Sequence, residues 1–267
     1  MAERNQTKQR TGRVVFVGAG PGAADLITLR GAHWLRQADV VLFDALTDPA
    51  LRDLAPQALW VDVGKRGFCQ ATGQATIDAL LVRHAQSHAC VVRLKGGDPS
   101  VFGRLEEELQ ALARAGIDCE VVPGVTAALA AAADTRRPLT RRGTGRSVSL
   151  STAMTQEGRL QAGRHADTEV FYMAGRQLGA LARRLRAAGW PNDAPTSVVS
   201  RAGWPDSLAS QHPLQALAQA ALLHAGRPTV VTVGAGALPC GVAAKLQTEA
   251  MATSCESPVA EMGLTTA

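Results

Sequence analysis

Short apolar segments alternate with longer segments of helical periodicity, and this alternation limits the fold more than any other feature of the sequence. The apolar segments end at turn residues and are short, so they predict buried strands. These strands are predicted at 14–17, 40–43, 89–94, 120–122, 147–151, 169–173, 196–199 and 229–233. Helices are predicted between them at 26–37, 74–85, 105–115, 126–133, 177–188 and 214–225. Regular alternation of this kind is typical of α/β domains, in which helices cover a sheet.

A change of composition divides this pattern into two units. Residues 136–146 are basic, contain glycine and show no apolar periodicity, as is typical of a linker. We therefore predict two consecutive α/β domains, at 13–135 and 147–240. Residues 1–12 predict a disordered basic arm, and residues 241–267 predict a flexible tail.

The overall composition fits globular domains and excludes several other classes of protein. Hydrophobic residues make up 46% and charged residues 19% of the 267 residues, which excludes collagen, a coiled coil and general disorder. No apolar run approaches the roughly 18 residues of a membrane-spanning helix. Residues 1–13 are polar and basic, unlike a signal peptide. We therefore expect a cytoplasmic protein without a membrane partner.

Charge and cysteine content narrow the choice of ligand. The net charge is +5 and arginine dominates the basic residues, which favours a ligand with carboxylate or phosphate groups. Nucleic acid is the competing ligand, but the aromatic residues are few and no basic run is interleaved with them. The five cysteines lack CxxC or Cys/His spacing, which argues against a disulfide framework and a zinc site. We expect no metal.

Two glycine-rich loops follow predicted strands. The first, GAGPGA at 18–23, fits the dinucleotide fingerprint, and Asp44 ends the next strand, so an NAD oxidoreductase is one alternative. A plain tight turn is equally compatible with so short a pattern. Pro21 argues against NAD because it removes an N–H that could hold a pyrophosphate. The second loop, at 95–99, places two glycines at the carboxyl end of a strand, where α/β proteins bind ligands; its Asp98 is also an ordinary cap for the following turn.

The segment RLKGGDPSVFGR at 93–104 carries the resemblance to a known family. The other matching segments, at the family's spacing, are 17–46, VGKR at 63–66, VVPGVTAA at 121–128 and PLTRRG at 138–143. In this order the motifs resemble those of the tetrapyrrole methylases, which transfer a methyl group from S-adenosyl-L-methionine. The resemblance extends over about residues 14–236 and is densest up to 143.

The resemblance implies a fold and an activity. Family members consist of two α/β domains, bind the donor in the cleft between them, use no metal and usually form homodimers. The combination of motifs most resembles the members that methylate a small-molecule tetrapyrrole, uroporphyrinogen III, at ring carbons C2 and C7. Their products are precorrin-2, for sirohaem or cobalamin synthesis, and S-adenosyl-L-homocysteine.

The resemblance also implies the roles of individual residues. Asp44 matches the family's proton acceptor and Lys65 its proton donor. The substrate-facing positions are Arg104, Glu107 and Arg142. The donor contacts map to Pro21, Gly96, Gly97, Asp98, Val101, Thr126, Ala127, Met173, Ala202 and Thr229.

Seven residues at four places depart from the family pattern. Arg141 replaces a histidine, and the other departures are Leu105-Glu106 for Gly-Gly, Arg136-Arg137 for Gly-Ile and Ala153-Met154 for Gly-His. Two alternatives therefore stay open besides the NAD enzyme. One is a sister methylase that acts on a later precorrin, and the other is a homologue that binds the donor with reduced turnover.

Overall fold

The first domain is a parallel sheet covered by helices on both faces. The computed structural model describes residues 12–64, 73–154, 160 and 162–240. Five strands pair in the order β3-β2-β4-β1-β5, all parallel. They are β1 (Arg13–Gly18), β2 (Val40–Phe43), β3 (Leu59–Asp62), β4 (Cys90–Lys95) and β5 (Cys119–Val122). The helices are α1 (Leu29–Arg36), α2 (Gln74–Ser87) and α3 (Leu105–Arg114).

The inner strands are buried in the way that is typical of a parallel sheet. β1 and β4 are valine-rich and buried along nearly their whole length, as expected for strands covered on both faces. Leu35 of α1 packs on one face, and Leu81 of α2 and Leu112 of α3 pack on the other. Because the strands are parallel, their carboxyl ends meet at one edge of the sheet.

The second domain is a mixed sheet. Its strands pair in the order β6-β7-β10-β8-β9; β6 and β7 are parallel, and the other pairs are antiparallel. They are β6 (Val148–Thr152), β7 (Thr168–Tyr172), β8 (Pro195–Ser200), β9 (Leu208–Pro213) and β10 (Thr229–Gly234). The helices are α4 (Ala127–Asp134), α5 (Leu178–Ala187) and the short α6 (Ala220–Leu223).

Helix α4 packs against the second sheet, although the sequence pattern places it before the linker. Its Ala128 and Ala131 lie in one apolar cluster with Val170 and Val199. Residues 136–146 therefore connect α4 to β6, and the domain boundary at 135–136 stays a prediction.

The sequence pattern predicts most of the observed helices and strands but misses two edge strands. Every predicted strand is present to within a residue or two, whereas β3 and β9 were not predicted. Both lie at sheet edges and are half-exposed, so they lack an unbroken apolar run. The predicted helix at 26–37 is also shorter, because the Thr28 hydroxyl accepts the Gly31 N–H (3.1 Å) and begins α1 after a 3₁₀ turn. The predicted helix at 214–225 divides into a 3₁₀ turn and α6.

The two domains touch beside the first glycine loop. Gly22 lies so close to Gly203 that a methyl group at Gly22 would collide with the Gly203 backbone. The Ala23 N–H donates to the Gly203 carbonyl (2.8 Å), and the Trp204 indole N–H donates to the Pro21 carbonyl (2.9 Å). These contacts hold the loop against the second domain.

Two features are absent from the described ranges. Among these residues no helix is both long and apolar enough to cross a membrane. In the same part of the chain, no three His, Cys, Asp or Glu side chains are grouped so that they could hold a metal ion.

A buried histidine should make the stability of the second domain depend on pH. His224 is 1% exposed, and its ring nitrogens bond the hydroxyls of Ser200 and Ser210, both at 2.8 Å. Burial, His212 and Arg227 lower its pKa below 6.5. The unfolded chain therefore binds the extra proton first, so stability is full above about pH 6.5 and falls as the pH drops toward the folded pKa.

We expect His224→Gln to reduce this pH dependence. The loss for one histidine is at most about 1.4 kcal/mol per pH unit. Urea unfolding of both proteins between about pH 7 and pH 5 measures it. An identical slope in the variant would show that His224 does not contribute.

Candidate active site

The two glycine loops join at the carboxyl edge of the first sheet. The loops after β1 and β4 pair through Gly20 and Gly97, whose N–H groups each donate to the other's carbonyl (2.7 and 3.3 Å). This edge of the first sheet faces the second domain, and a cleft lies between the two domains. A ligand site at the carboxyl ends of parallel strands is the general pattern of α/β proteins.

All ten predicted donor contacts line this cleft. They come from both domains, and they are Pro21, Gly96, Gly97, Asp98, Val101, Thr126, Ala127, Met173, Ala202 and Thr229. Residues more than 200 positions apart in sequence therefore share one cavity. Their role in binding stays a prediction.

Gly97 leaves room that a side chain would fill. Its φ of +72° lies in the left-handed region that disfavours L side chains. The nearest atom to a Cβ at this position is the Thr126 Cα, 4.0 Å away, so the side chain would enter the open cleft. The backbone of Gly97 can therefore approach a bound ligand directly.

Asp98 holds the loop in shape. One carboxylate oxygen accepts the Ser100 N–H and the other accepts the Gly124 N–H, both at 2.8 Å. The carboxylate thus ties the loop after β4 to the loop after β5. Since both oxygens already accept hydrogen bonds, Asp98 also has the capping role that the sequence allowed.

Two aromatic side chains of the cleft lining, Tyr172 and Phe102, lie against each other, and the sequence motifs did not indicate Tyr172. The Tyr172 hydroxyl lies 2.8 Å from the Thr126 hydroxyl, and its ring centroid is 5.1 Å from that of Phe102. Burial raises the pKa of the Tyr172 phenol, so it stays protonated. The sequence offers one signal for Tyr172. It is the single tyrosine of the chain, and it stands directly before Met173 at the end of a predicted strand.

Strained backbone is concentrated in this cleft. Phe102, Met173 and Arg201 all line it and have φ values of +53°, +56° and +52°. Left-handed conformations cost energy for such residues and persist where the surroundings fix them, often at functional sites. The geometry of the cleft wall is therefore closely determined.

Asp44 lies beside the cleft at the end of a chain of charges. It follows β2, two residues before Leu46, which lines the cleft, and its side chain is 32% exposed. Its Oδ1 is 2.6 Å from Nη2 of Arg93. The other predicted catalytic residue, Lys65, lies outside the described residues.

The charges behind Asp44 are buried and paired. Nε of Arg93 donates to one oxygen of Glu108 (3.0 Å), and Nζ of Lys95 donates to the other (2.7 Å). None of these three side chains is more than 4% exposed. Burial and Arg93 lower the pKa of Lys95. Since Arg93 is held from behind by Glu108, it fixes the direction of the Asp44 carboxylate.

The three predicted substrate residues lie outside the cleft lining. Arg104 and Glu107 form an exposed ion pair with each other (2.5 Å). Arg142 is exposed in the turn between α4 and β6. The neighbouring Arg141 instead donates to the carbonyls of Leu238 and Pro239. The cleft lining therefore contains all the predicted donor residues and none of the predicted substrate residues.

Comparison with known proteins agrees with this architecture. The family model of the tetrapyrrole (corrin/porphyrin) methylases matches residues 13–218. A uroporphyrinogen-III C-methyltransferase of Pseudomonas aeruginosa is 41% identical over 233 residues, which cover 84% of this chain and 94% of that protein. Siroheme synthase 1 of Aeromonas hydrophila is 39% identical over 236 residues, which cover 86% of this chain and 51% of that protein. A crystal structure of uroporphyrin-III C-methyl transferase from Thermus thermophilus with S-adenosylhomocysteine is 38% identical, with a TM-score of 0.74, and the match covers 84% of this chain and 97% of that one.

Proposed function

Because the chain belongs to the tetrapyrrole methylase family, we propose that it transfers methyl groups from S-adenosyl-L-methionine to C2 and C7 of uroporphyrinogen III, forming precorrin-2. The observation that carries the proposal is the convergence of all ten predicted donor contacts on one cleft. The similarity to uroporphyrinogen-III C-methyltransferases over most of both chains supports the choice of substrate.

The cleft fits the donor at the second glycine loop. Gly97 offers backbone and empty space where any other residue would place a side chain. When bound, the donor supplies a methyl group on a sulfonium sulfur, so the protein needs no covalent nucleophile. The remaining tasks of the protein are to align the ring carbon with this methyl group and to exclude water.

Asp44 is our candidate for the proton step. Methyl transfer to a ring carbon puts a positive charge on the tetrapyrrole, and the macrocycle must then lose a proton from another of its atoms to become neutral. A carboxylate at the cleft edge can stabilise that charge or accept that proton, and Arg93 holds it in one direction. We assign Lys65 the proton-donor role on the family resemblance alone.

Arg104 and Arg142 are proposed to bind carboxylates of the substrate. We expect Arg104→Ala and Arg142→Ala each to raise the KM for uroporphyrinogen III more than the KM for the donor. The loss of one charge-assisted hydrogen bond is worth roughly 1.5–3 kcal/mol, about 10- to 100-fold. Arg114→Ala, at the exposed end of α3, is the control for lost charge. Equal KM values in the wild type and both variants would remove these residues from the substrate site.

The proposed activity is tested by incubating the protein with uroporphyrinogen III and S-adenosyl-L-methionine. We expect a red-shifted tetrapyrrole product and release of S-adenosyl-L-homocysteine. Conversion of a later precorrin but not of uroporphyrinogen III would identify a sister methylase. Binding of the donor without any methyl transfer would identify a homologue that has lost turnover.

We also propose that the enzyme works as a homodimer in the cytoplasm. The support is the family resemblance, since these methylases usually form dimers. Light scattering after gel filtration should give twice the mass of one chain. A mass equal to one chain would contradict the dimer.

A further inference from the structure

Arg201 is a charged residue of the cleft to which no motif assigns a role. Among the described residues that line the cleft, Asp98 and Arg201 are the two that carry charge. Both carboxylate oxygens of Asp98 already accept backbone N–H groups. Arg201 is therefore the positively charged group of the described lining, and the group there that can pair with an anion of a ligand.

The protein holds Arg201 in an uncommon position. It directly follows β8 with a φ of +52°, and its N–H donates to the Pro228 carbonyl (2.8 Å). The guanidinium carbon lies 4.2 Å from the centroid of the Trp204 ring, and Nε donates to Asp206 (2.7 Å). Such a strained backbone with a side chain fixed on two sides is common at ligand sites.

The free edge of the guanidinium determines what it can bind. Nε of Arg201 donates to the Asp206 carboxylate, and within the described part of the chain neither terminal nitrogen of Arg201 has a hydrogen-bond partner. The side chain is 31% exposed, so this edge is accessible. Two parallel N–H groups of an arginine match the two oxygens of a carboxylate.

We propose that Arg201 binds a carboxylate of a ligand in the cleft. This inference rests on the proposed function, in which both ligands carry carboxylates. The donor has one on its amino-acid end, and uroporphyrinogen III has eight around the ring. In either case Arg201 binds a carboxylate, and the experiment separates the carboxylate of the donor from those of uroporphyrinogen III.

The test compares two donor analogues in the variant Arg201→Asn. Asparagine tolerates the left-handed backbone, so this change removes the charge without adding backbone strain. Calorimetry is done with S-adenosyl-L-homocysteine and with 5′-methylthioadenosine, which lacks the amino-acid end of the donor and with it the carboxylate. The KM for uroporphyrinogen III is measured alongside. Arg183→Gln, an exposed arginine on α5, is the control for lost charge.

Two results would support the proposal. If the donor carboxylate is bound, the affinity for S-adenosyl-L-homocysteine falls about 10- to 100-fold while that for 5′-methylthioadenosine is unchanged. If a substrate carboxylate is bound, both analogues bind as in the wild type and the KM for uroporphyrinogen III rises by about 10-fold or more. Arg201→Lys keeps the charge but loses the paired N–H groups, so it should fall between the wild type and Arg201→Asn.

Two other results would overturn it. One is unchanged affinity for both analogues with an unchanged KM. The other is an equal loss for both analogues, which would mean that Arg201 only shapes the cleft. A wild-type protein that binds S-adenosyl-L-homocysteine but transfers no methyl group would instead contradict the proposed function, and the calorimetric comparison would still stand.

Discussion

Gly97→Leu is expected to abolish donor binding while leaving the fold intact. The leucine side chain would enter the open cleft, because the nearest atom to its Cβ is the Thr126 Cα at 4.0 Å. The left-handed backbone adds about 1–2 kcal/mol of strain for an L residue. This strain lowers the stability of the fold, whereas the clash between the leucine side chain and the donor is expected to cost more than about 2.8 kcal/mol of binding, which lowers the affinity for S-adenosyl-L-homocysteine more than about 100-fold. Calorimetry measures this affinity.

Gly116→Leu is the matched control for that experiment. Gly116 follows α3 with a φ of +67°, close to that of Gly97, and has no atom within 4 Å of its Cβ position. This variant should lose a similar amount of stability from backbone strain and keep its donor affinity. Unchanged binding in Gly97→Leu would contradict the placement of the donor against this loop.

Asp44→Asn is expected to slow methyl transfer by about 10²–10⁴-fold, the usual contribution of a positioned proton acceptor. Donor affinity should remain, because Asp44 lies beside the donor residues rather than among them. Asparagine keeps the shape of the side chain and removes the charge that faces the cationic ring. Single-turnover methyl transfer, measured beside S-adenosyl-L-homocysteine affinity, separates the two effects.

The ion pair with Arg93 gives the competing explanation for Asp44. If Asp44 had only a structural role, the variant would lose stability and donor affinity together, with little specific loss of rate. Glu108 continues to pair with Arg93 after the change, so we expect the loss of stability to be small. Asp53→Asn, at an exposed position nearby, is the control. A rate within a few-fold of the wild type with affinity intact would remove Asp44 from the catalytic residues.

The parts of the fold that were predictable from sequence are those with buried, periodic patterns. β1 and β4 could be predicted because both their faces are covered and each contains a short apolar run, although β4 also carries Arg93 and Lys95. β9 could not, because its half-exposed residues at a sheet edge carry no apolar run. The antiparallel pairing of the second sheet was also unpredictable, because strand direction depends on connections that no local pattern encodes.

The residues of the candidate site also divide into those that the sequence predicts and those that only the structure places there. The donor residues were found because glycine loops and family motifs mark them in the sequence. Tyr172, Arg201 and Trp204 carry no such motif, and only the packing of the second domain brings them to the cleft. The buried pairing of Arg93 with Glu108 was equally hidden, since it joins a strand to a helix through side chains that would ordinarily be exposed.

The number of methyl groups on the product tests the central claim most directly. The wild-type protein is incubated with uroporphyrinogen III and excess S-adenosyl-L-methionine, and the tetrapyrrole is analysed by mass spectrometry. The proposed function predicts two added methyl groups, with a singly methylated species that appears early and is then consumed. A product without added methyl groups, formed under conditions in which the protein binds S-adenosyl-L-homocysteine, would contradict it.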